Sequence, residues 1–137
     1  VLAPSPVENQ HPDHWRLGKL ARDAARLARY GGVAEIRELA PHAIEQLLFY
    51  AVTPEAEPRE ATPILVDVSA PEIVAAWKAA MEAHVSQSAT RNYAEMQLTR
   101  ARLNGHRAGV GCAIALFSSD PLIVDSLNSL SRGARRF

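Results

Sequence analysis

Short apolar runs that alternate with segments of helical periodicity are the feature that most constrains the fold of this chain. The runs Gln46–Thr53 (QLLFYAVT), Ile64–Val68 (ILVDV) and Cys112–Phe117 (CAIALF) predict buried strands. Val1–Ala3 is also strand-like, and we expect it to be the tail of a strand that begins upstream. Apolar strands that alternate with helices favour an α/β layered fold over an antiparallel one. Three or four strands are few for a doubly wound sheet, so part of the domain is expected to lie outside this chain.

The helices are predicted from apolar spacing and from end signals. A first helix is expected from Asp13 to the glycine pair at 31–32, with arginines on its solvated face and a core-facing stripe of Leu17, Leu20, Ala21, Ala24, Leu27 and Ala28. Ser69 and Glu72 match a capping box, which predicts a helix that carries Ile73, Val74, Trp77, Met81 and His84 near one face. Further helical segments are predicted over 91–103, ending at Asn104-Gly105, and over 121–130.

Composition and charge exclude several classes of protein. The 137 residues include 15 basic and 15 acidic side chains, and 47% are apolar, which argues against a disordered chain and against a nucleic-acid partner. The lone Cys112 excludes an internal disulfide framework and a cysteine-rich zinc site. The longest apolar run, residues 108–117, falls short of the roughly 20 residues that a membrane span needs. The first residues do not resemble a signal peptide, so we expect a cytoplasmic protein without a membrane span.

The segment His11-Pro12-Asp13-His14 is the motif with a specific chemical interpretation. Two imidazoles three residues apart, where a loop meets a helix, can lie on the same side of the turn. Pro12 restricts its own φ and the conformations of His11, and Asp13 can orient an imidazole. One neutral histidine could bind zinc while the other faces a developing oxyanion. From spacing alone, a plain helix start with Asp13 as its cap is the favoured interpretation, because a motif of two histidines lacks a third metal ligand.

The order of motifs along the chain resembles the LmbE-like, or PIG-L-like, zinc-dependent N-deacetylases. HPDH with its alanine-rich helix is similar to the second signature of that family, and the later segments LLFY, ILVDVS, KAAMEAHVSQ and TRARLNGHRAGVGCAIALF follow in the family's order. The resemblance runs from Ser5 to about Leu130. It implies a Rossmann-like three-layer α/β/α fold, a Zn²⁺ cofactor, and hydrolysis of an N-acetyl group on an N-acetylglucosamine-containing sugar conjugate.

The resemblance also implies roles for individual residues. His14 would bind zinc, His11 would act on the oxyanion or as a general acid, and Asp13 would support that histidine. Zinc would polarise the acetyl carbonyl and activate a water molecule, while a carboxylate would act as general base. Candidate substrate-binding residues follow, each with a structural alternative: Asn9 (loop structure), Arg102 (a surface ion pair) and His84 (a core or helix-end histidine).

Two departures from the family pattern matter. Nothing among the 137 residues matches the family's first signature, an AHPDD-like turn that supplies the other zinc ligands and the general base. We therefore interpret residues 1–137 as a single C-terminal portion of such a domain, with the N-terminal portion on a second chain or segment. In addition, Ile114 stands where the family usually has a glutamate.

Two functions remain open from the sequence. One is the deacetylase, catalytic once its site is complete. The other is a non-catalytic interaction or assembly module that retains part of the fold. Absence of the first signature favours the module, whereas retention of both histidines favours the enzyme. In either case a truncated sheet would expose apolar surface, so we expect a homo-oligomer or another partner.

Overall fold

A computed structural model describes residues 1–89, 91–130 and 133 as a mixed α/β structure. The strands are β1 (Leu2–Pro4), β2 (Leu48–Tyr50), β3 (Ile64–Asp67) and β4 (Ala113–Ser118), and the α-helices are α1 (Pro12–Arg29), α2 (Pro71–Glu82), α3 (Val85–Ser88) and α4 (Tyr93–Ala108). Short 3₁₀ turns lie at Ala34–Ile36, Pro54–Ala56 and Leu127–Ser129. The α/β class predicted from the sequence is confirmed.

The four strands are hydrogen-bonded in the order β1-β2-β4-β3. β1 and β2 are parallel, with Ala3 opposite Phe49, whereas β2 and β4 are antiparallel, with Phe49 opposite Phe117. The sheet is therefore mixed. β1 is an edge strand, and its Leu2 side chain is largely exposed.

The chain divides into two compact units, Val1–Pro63 with Leu116–Leu122, and Ile64–Ala115 with the residues from Ile123 onward. In the first unit, Ala3, Phe49 and Phe117 form buried cross-strand neighbours on one face of the sheet. Ser5 follows β1 and is 1% exposed, and its backbone N–H donates to the Tyr50 carbonyl at 2.8 Å. The sheet thus fixes the start of the loop that leads to HPDH.

α1 packs closely against the end of β1 at Gly18. A Cβ at this position would overlap the Pro4 carbonyl oxygen and lie 2.9 Å from the Pro6 nitrogen and 3.0 Å from the Ser5 carbonyl carbon. All three atoms are backbone, so no side-chain rotation could make room. Gly18 is the one fully buried residue of α1, and its missing side chain lets the helix approach the chain that precedes it.

The predicted core stripe of α1 is wrong for its leucines. Leu17, Leu20 and Leu27 are 54%, 64% and 49% exposed, and Ala24 is exposed as well. The more protected positions are Gly18 and its helical neighbours Ala21, Arg22, Ala25 and Ala28. The α1 backbone lies close to the Pro4–Pro6 backbone. Only small side chains, or one that extends away from this contact, therefore fit on that face of the helix.

The second unit has its own small core where α2 meets α4. Met81, Ala94 and Leu98 are buried together, with Val74, Trp77 and Tyr93 packed around them. This confirms the predicted inward positions of Val74, Trp77 and Met81. Ile73 is 46% exposed, and His84 lies beyond the end of α2 and is also exposed, so their predicted places on the apolar face are wrong.

The predicted capping box at the start of α2 does not form. The residue before the helix is Ala70, without a side-chain cap, and Pro71 opens the first turn. Ser69 instead bonds to Cys112, whose N–H donates to Ser69 Oγ at 2.9 Å. Ser69 Oγ in turn donates to Asp67 Oδ1 at 2.5 Å. The hydroxyl therefore joins the end of β3 to the chain just before β4.

α4 continues past Asn104-Gly105, where the sequence predicted its end. A Cβ at Gly105 would lie 2.6 Å from the Gly111 carbonyl oxygen, so this glycine allows a close approach inside the helix. The helix ends instead at Gly109, whose φ of 69° is left-handed and whose N–H donates back to the Gly105 and His106 carbonyls.

Of the terminal helix or helical turn predicted over 121–130, only a turn forms. Within this described segment only Leu127–Ser129 is helical, as a single 3₁₀ turn, with Ser126 Oγ accepting the Asn128 N–H at 3.2 Å. The apolar side chains of the segment are exposed, and Ile123 is exposed almost completely. A helix this short needs a packing surface to be stable, and the apolar side chains from Leu122 to Leu130 are 44% to 91% exposed.

Candidate functional site at the amino end of α1

The HPDH motif forms the first turn of α1. His11 is the N-cap residue, Pro12 occupies the first helical position, and the His14 N–H donates to the His11 carbonyl at 3.2 Å. Proline suits this position because its fixed φ is helical and it has no N–H to leave unbonded. Asp13 lies in the first turn and is not the cap, so the capping role considered for it from the sequence is not what the structure shows.

The two histidines of the motif face each other. Their ring centroids are 5.4 Å apart and the ring planes are inclined at 37°. His14 Nε2 lies 3.8 Å from Asp13 Oδ2, with the histidine side chain 36% exposed and the aspartate 78% exposed. The structure therefore brings two imidazoles and one carboxylate together at a solvent-accessible helix end, as the spacing predicted.

Asn9 positions the loop that leads into the motif. Its Nδ2 donates to the Val7 carbonyl at 2.9 Å, and its Oδ1 accepts the His11 N–H at 2.9 Å. Both ends of the amide are thus bonded to backbone, which is the loop role considered for Asn9 from the sequence. The backbone N–H of His11 is fixed by this bond.

Ser5 begins the same series of bonds, and sequence reasoning missed it. Its Oγ accepts the Val7 N–H at 3.2 Å, and Asn9 then bonds to Val7 and to His11. Serine and asparagine side chains commonly close such two-residue turns. The spacing Ser5, Asn9, His11, with small polar side chains that precede a helix start, is the signal that could have indicated it.

Electrostatics at this helix end favour negative charge. The first turn of α1 carries the positive end of the helix dipole, which stabilises anions. A histidine N–H at the same position can donate a hydrogen bond to an oxygen that gains negative charge during a reaction. The arrangement can therefore bind a carbonyl or carboxylate oxygen, and a neutral imidazole there can serve as a metal ligand.

The donors present make up part of a zinc site. Zinc prefers four ligands in a tetrahedron, of which catalytic sites take three from the protein. Across residues 1–89, 91–130 and 133, His, Cys, Asp and Glu side chains form no group of three or more with metal-binding geometry. The chemistry of His14 and its neighbours fits zinc, but further ligands would have to come from outside the described residues.

The other two predicted site residues, His84 and Arg102, belong to the second unit. Arg102 forms an ion pair with Glu95 and donates to Thr99 Oγ1 at 3.0 Å, and its side chain is 52% exposed. It thus has the surface ion pair considered for it from the sequence. His84 is the exposed residue before α3, and its carbonyl accepts the N–H groups of Gln87 and Ser88.

Trp15, which directly follows the motif, was also missed from the sequence. Lys19 Nζ lies 4.3 Å from the centre of the Trp15 ring, and the Arg16 guanidinium lies 5.3 Å from it. Both are within cation–π range. The spacing of four residues between Trp15 and Lys19 on a helix is the signal that predicts this contact.

Comparison with known proteins finds a longer protein of similar structure. No family model and no curated protein matches this chain. The crystal structure of the conserved protein TT1542 from Thermus thermophilus is similar, with a TM-score of 0.71 and 28% sequence identity. The similarity covers 90% of this chain and 52% of that one, so the chain spans about half the length of this relative.

Of the helices in the described part of the chain, none is long and apolar enough to cross a membrane.

Proposed function

We propose that this chain is the C-terminal portion of an LmbE-like zinc-dependent N-deacetylase with a Rossmann-like three-layer fold. Its reaction would be hydrolysis of the N-acetyl group of an N-acetylglucosamine-containing sugar conjugate. The site would be completed by an N-terminal portion, on the same or a second chain. The order of motifs described above supports this assignment. The extent of the structural match to TT1542, nearly all of this chain against half of the other, is what a portion of a larger domain would give.

The single observation that carries the proposal is the pair of facing imidazoles at the start of α1. Their 5.4 Å separation places two different nitrogen functions within reach of one substrate group. A helix that merely starts with HPDH has no need for both rings to face each other in solvent. This geometry allows one imidazole to bind a metal while the other donates a hydrogen bond.

The residues of this chain would act as follows. His14 would hold the metal, which when bound supplies a Lewis acid and an activated water. His11, with its backbone N–H fixed by Asn9, would donate to the oxygen of the acetyl group as negative charge develops there. The resemblance assigns Asp13 to the support of His11, whereas the carboxylate lies 3.8 Å from His14 Nε2, where it would act on the His14 ring through its charge.

The test measures zinc and activity separately in the natural assembly of the protein. Native mass spectrometry reads chain stoichiometry and bound zinc, and release of free amine from an N-acetylglucosaminide reads activity. His14→Ala is expected to remove zinc and hydrolysis together. His11→Ala is expected to retain zinc and to lower kcat by about 10²–10³-fold, the usual effect of losing one oxyanion donor.

His42→Ala is the matched control, because His42 is an exposed histidine of the same unit outside the motif. It should change neither zinc content nor kcat. If His14→Ala left both zinc and hydrolysis intact, the proposed role of the motif would be refuted.

One observation favours the second function, a non-catalytic assembly module. Leu17, Leu20 and Leu27 lie exposed along α1, and a leucine face of this kind is typical of a surface that another element covers. The same assay separates the two functions. A stable assembly that binds no zinc and loses its partner on Leu20→Glu would indicate the module.

A further inference from the structure

A groove in the first unit lies beside the second half of α1, away from the histidine pair. It has a volume of about 270 Å³. Arg22, Ala25, Arg26 and Arg29 line it from the helix, and residues 43–48 together with Ser118 and residues 120–122 supply the rest of the lining. Arg26 follows His11 by 15 residues, which corresponds to about 22 Å along a helix axis. The groove is therefore separate from the site proposed above.

The three arginines share one face of α1. Positions 22, 26 and 29 are four and three residues apart, the spacings that place side chains in a row on a helix. The row extends for about 10 Å. Three guanidinium groups along one wall give the groove a concentration of hydrogen-bond donors and positive charge.

These charges are only partly paired. Arg22 Nε is fully buried and has no hydrogen-bond partner, and the nearest carboxylate oxygen, on Asp23, is 4.0 Å away. Arg26 makes no hydrogen bond or ion pair with any described residue. Arg29 donates only to the hydroxyl of its neighbour Tyr30, at 3.0 Å. A buried donor without a partner is uncommon in folded proteins and calls for a specific explanation.

Two carboxylates also line the groove, and neither neutralises the arginines. Glu45 and Asp120 form no ion pair with Arg22, Arg26 or Arg29, although all five side chains border the same space. The Asp120 carboxylate accepts the Ser119 hydroxyl instead, at 3.4 Å. The lining thus has one excess positive charge, with donors along the helix and acceptors on the other segments.

We propose that this groove binds the phosphate group of a small, hydroxyl-bearing phosphorylated molecule. The planar guanidinium group matches phosphate geometry, and an anion in the groove would pair with Arg26, whose side chain has no partner among the described residues. Glu45 and Asp120 would accept hydrogen bonds from the hydroxyl groups of the same molecule. The volume is slightly below the range of about 300–1,000 Å³ for drug-sized ligands, which fits a molecule the size of a sugar phosphate.

The test measures binding of glucose 6-phosphate by isothermal titration calorimetry, with glucose as the uncharged comparison. Arg26→Ala is expected to weaken glucose 6-phosphate binding at least about 10-fold, because a hydrogen bond to a charged group contributes about 1.5–3 kcal/mol. Arg26 is exposed and without a partner, so this variant should fold normally. Glucose is expected to bind much more weakly than its phosphate.

Arg16→Ala provides the matched control on the same helix. Arg16 is exposed near Trp15 and does not line the groove. It should change the affinity less than twofold. If Arg16→Ala and Arg26→Ala weakened binding equally, attraction would be a general property of a basic helix and the site would be refuted. Absence of measurable binding of glucose 6-phosphate to the unmodified protein would refute it as well.

Discussion

Gly18→Ala tests whether the close approach of α1 to the end of β1 holds the first unit together. Intrinsic propensity alone predicts a gain, because alanine stabilises a helix interior over glycine by about 0.8–1.0 kcal/mol. The structure predicts a loss. The added Cβ would overlap the Pro4 carbonyl oxygen and would lie 2.9 Å from the Pro6 nitrogen, whereas ordinary contacts begin near 3.4 Å. The helix would have to move outward by about 1 Å for the added Cβ to reach an ordinary contact distance from the Pro4 carbonyl oxygen, and these backbone atoms cannot rotate away.

The expected change in the free energy of unfolding follows from these opposing effects. Overpacking of a well-packed site costs about 1–3 kcal/mol, and a clash with backbone belongs at the upper end of that range. After the gain in propensity, we expect the free energy of unfolding to fall by about 1–2 kcal/mol. Urea denaturation followed by circular dichroism measures it, and the midpoint should decrease with an unchanged m value.

Gly32→Ala is the control for that experiment. An added Cβ at Gly32 would meet no atom within 4 Å, so this variant should be as stable as the unmodified protein or slightly more stable. If Gly18→Ala were as stable as Gly32→Ala, the proposed contact between α1 and the Pro4–Pro6 backbone would not exist in solution.

Two further substitutions test the second unit, and both are measured by the same denaturation assay. Ser69→Ala removes the acceptor of the Cys112 N–H, and leaving that partly buried donor without a partner should cost about 1–2 kcal/mol. Ser86→Ala is the control and should have little effect, because Ser86 is exposed. Equal stability of the two variants would contradict the assigned bond. Leu98→Ala removes a side chain that is buried against α2 and should cost about 2–4 kcal/mol. Leu103→Ala on the same helix should cost less than about 0.5 kcal/mol, because Leu103 is largely exposed, and a reversed order would contradict the described core.

Two of the three predicted buried strands match the structure closely because their signals are local, whereas the predicted strand Gln46–Thr53 forms only at Leu48–Tyr50. Ile64–Asp67 and Ala113–Ser118 combine β-branched or apolar residues with polar boundaries, and each forms a strand within one residue of the predicted range. The start of α1 was predicted at Asp13 and lies one residue earlier, at Pro12.

Helix ends and caps that depend on distant contacts were not predictable in this way. Ser69 has the right neighbours for a capping box, but its hydroxyl bonds to Cys112, 43 residues further along the chain. Asn104-Gly105 resembles a helix stop, yet Gly105 is required where the helix passes the Gly111 backbone. Nothing in the local sequence distinguishes a glycine that ends a helix from one that allows two segments to touch.

The parts of the candidate site that depend on residues close in sequence were predictable. The spacing of His11 and His14 across a proline correctly predicted that the two rings share one side of a helical turn. The support from Asn9 is local too, since its bonds reach only two residues in either direction. The roles of His84 and Arg102 rest on the family resemblance alone, and both residues belong to the second compact unit.

The exposed face of α1 shows what periodicity can and cannot decide. The leucines at 17, 20 and 27 form one row, and the small residues at 18, 21, 25 and 28 form another, one position further along. Successive residues on a helix are about 100° apart, so the two rows are neighbouring faces of the same helix. The sequence pattern marks both rows as apolar, and only the short distance to the Pro4–Pro6 backbone selects the small one for the interior. A helix that is apolar over two adjacent faces is typical of one packed on two sides. The described chain covers only the small-residue face and leaves the leucine face exposed, so the periodicity that predicts the helix does not by itself decide which of the two faces is buried.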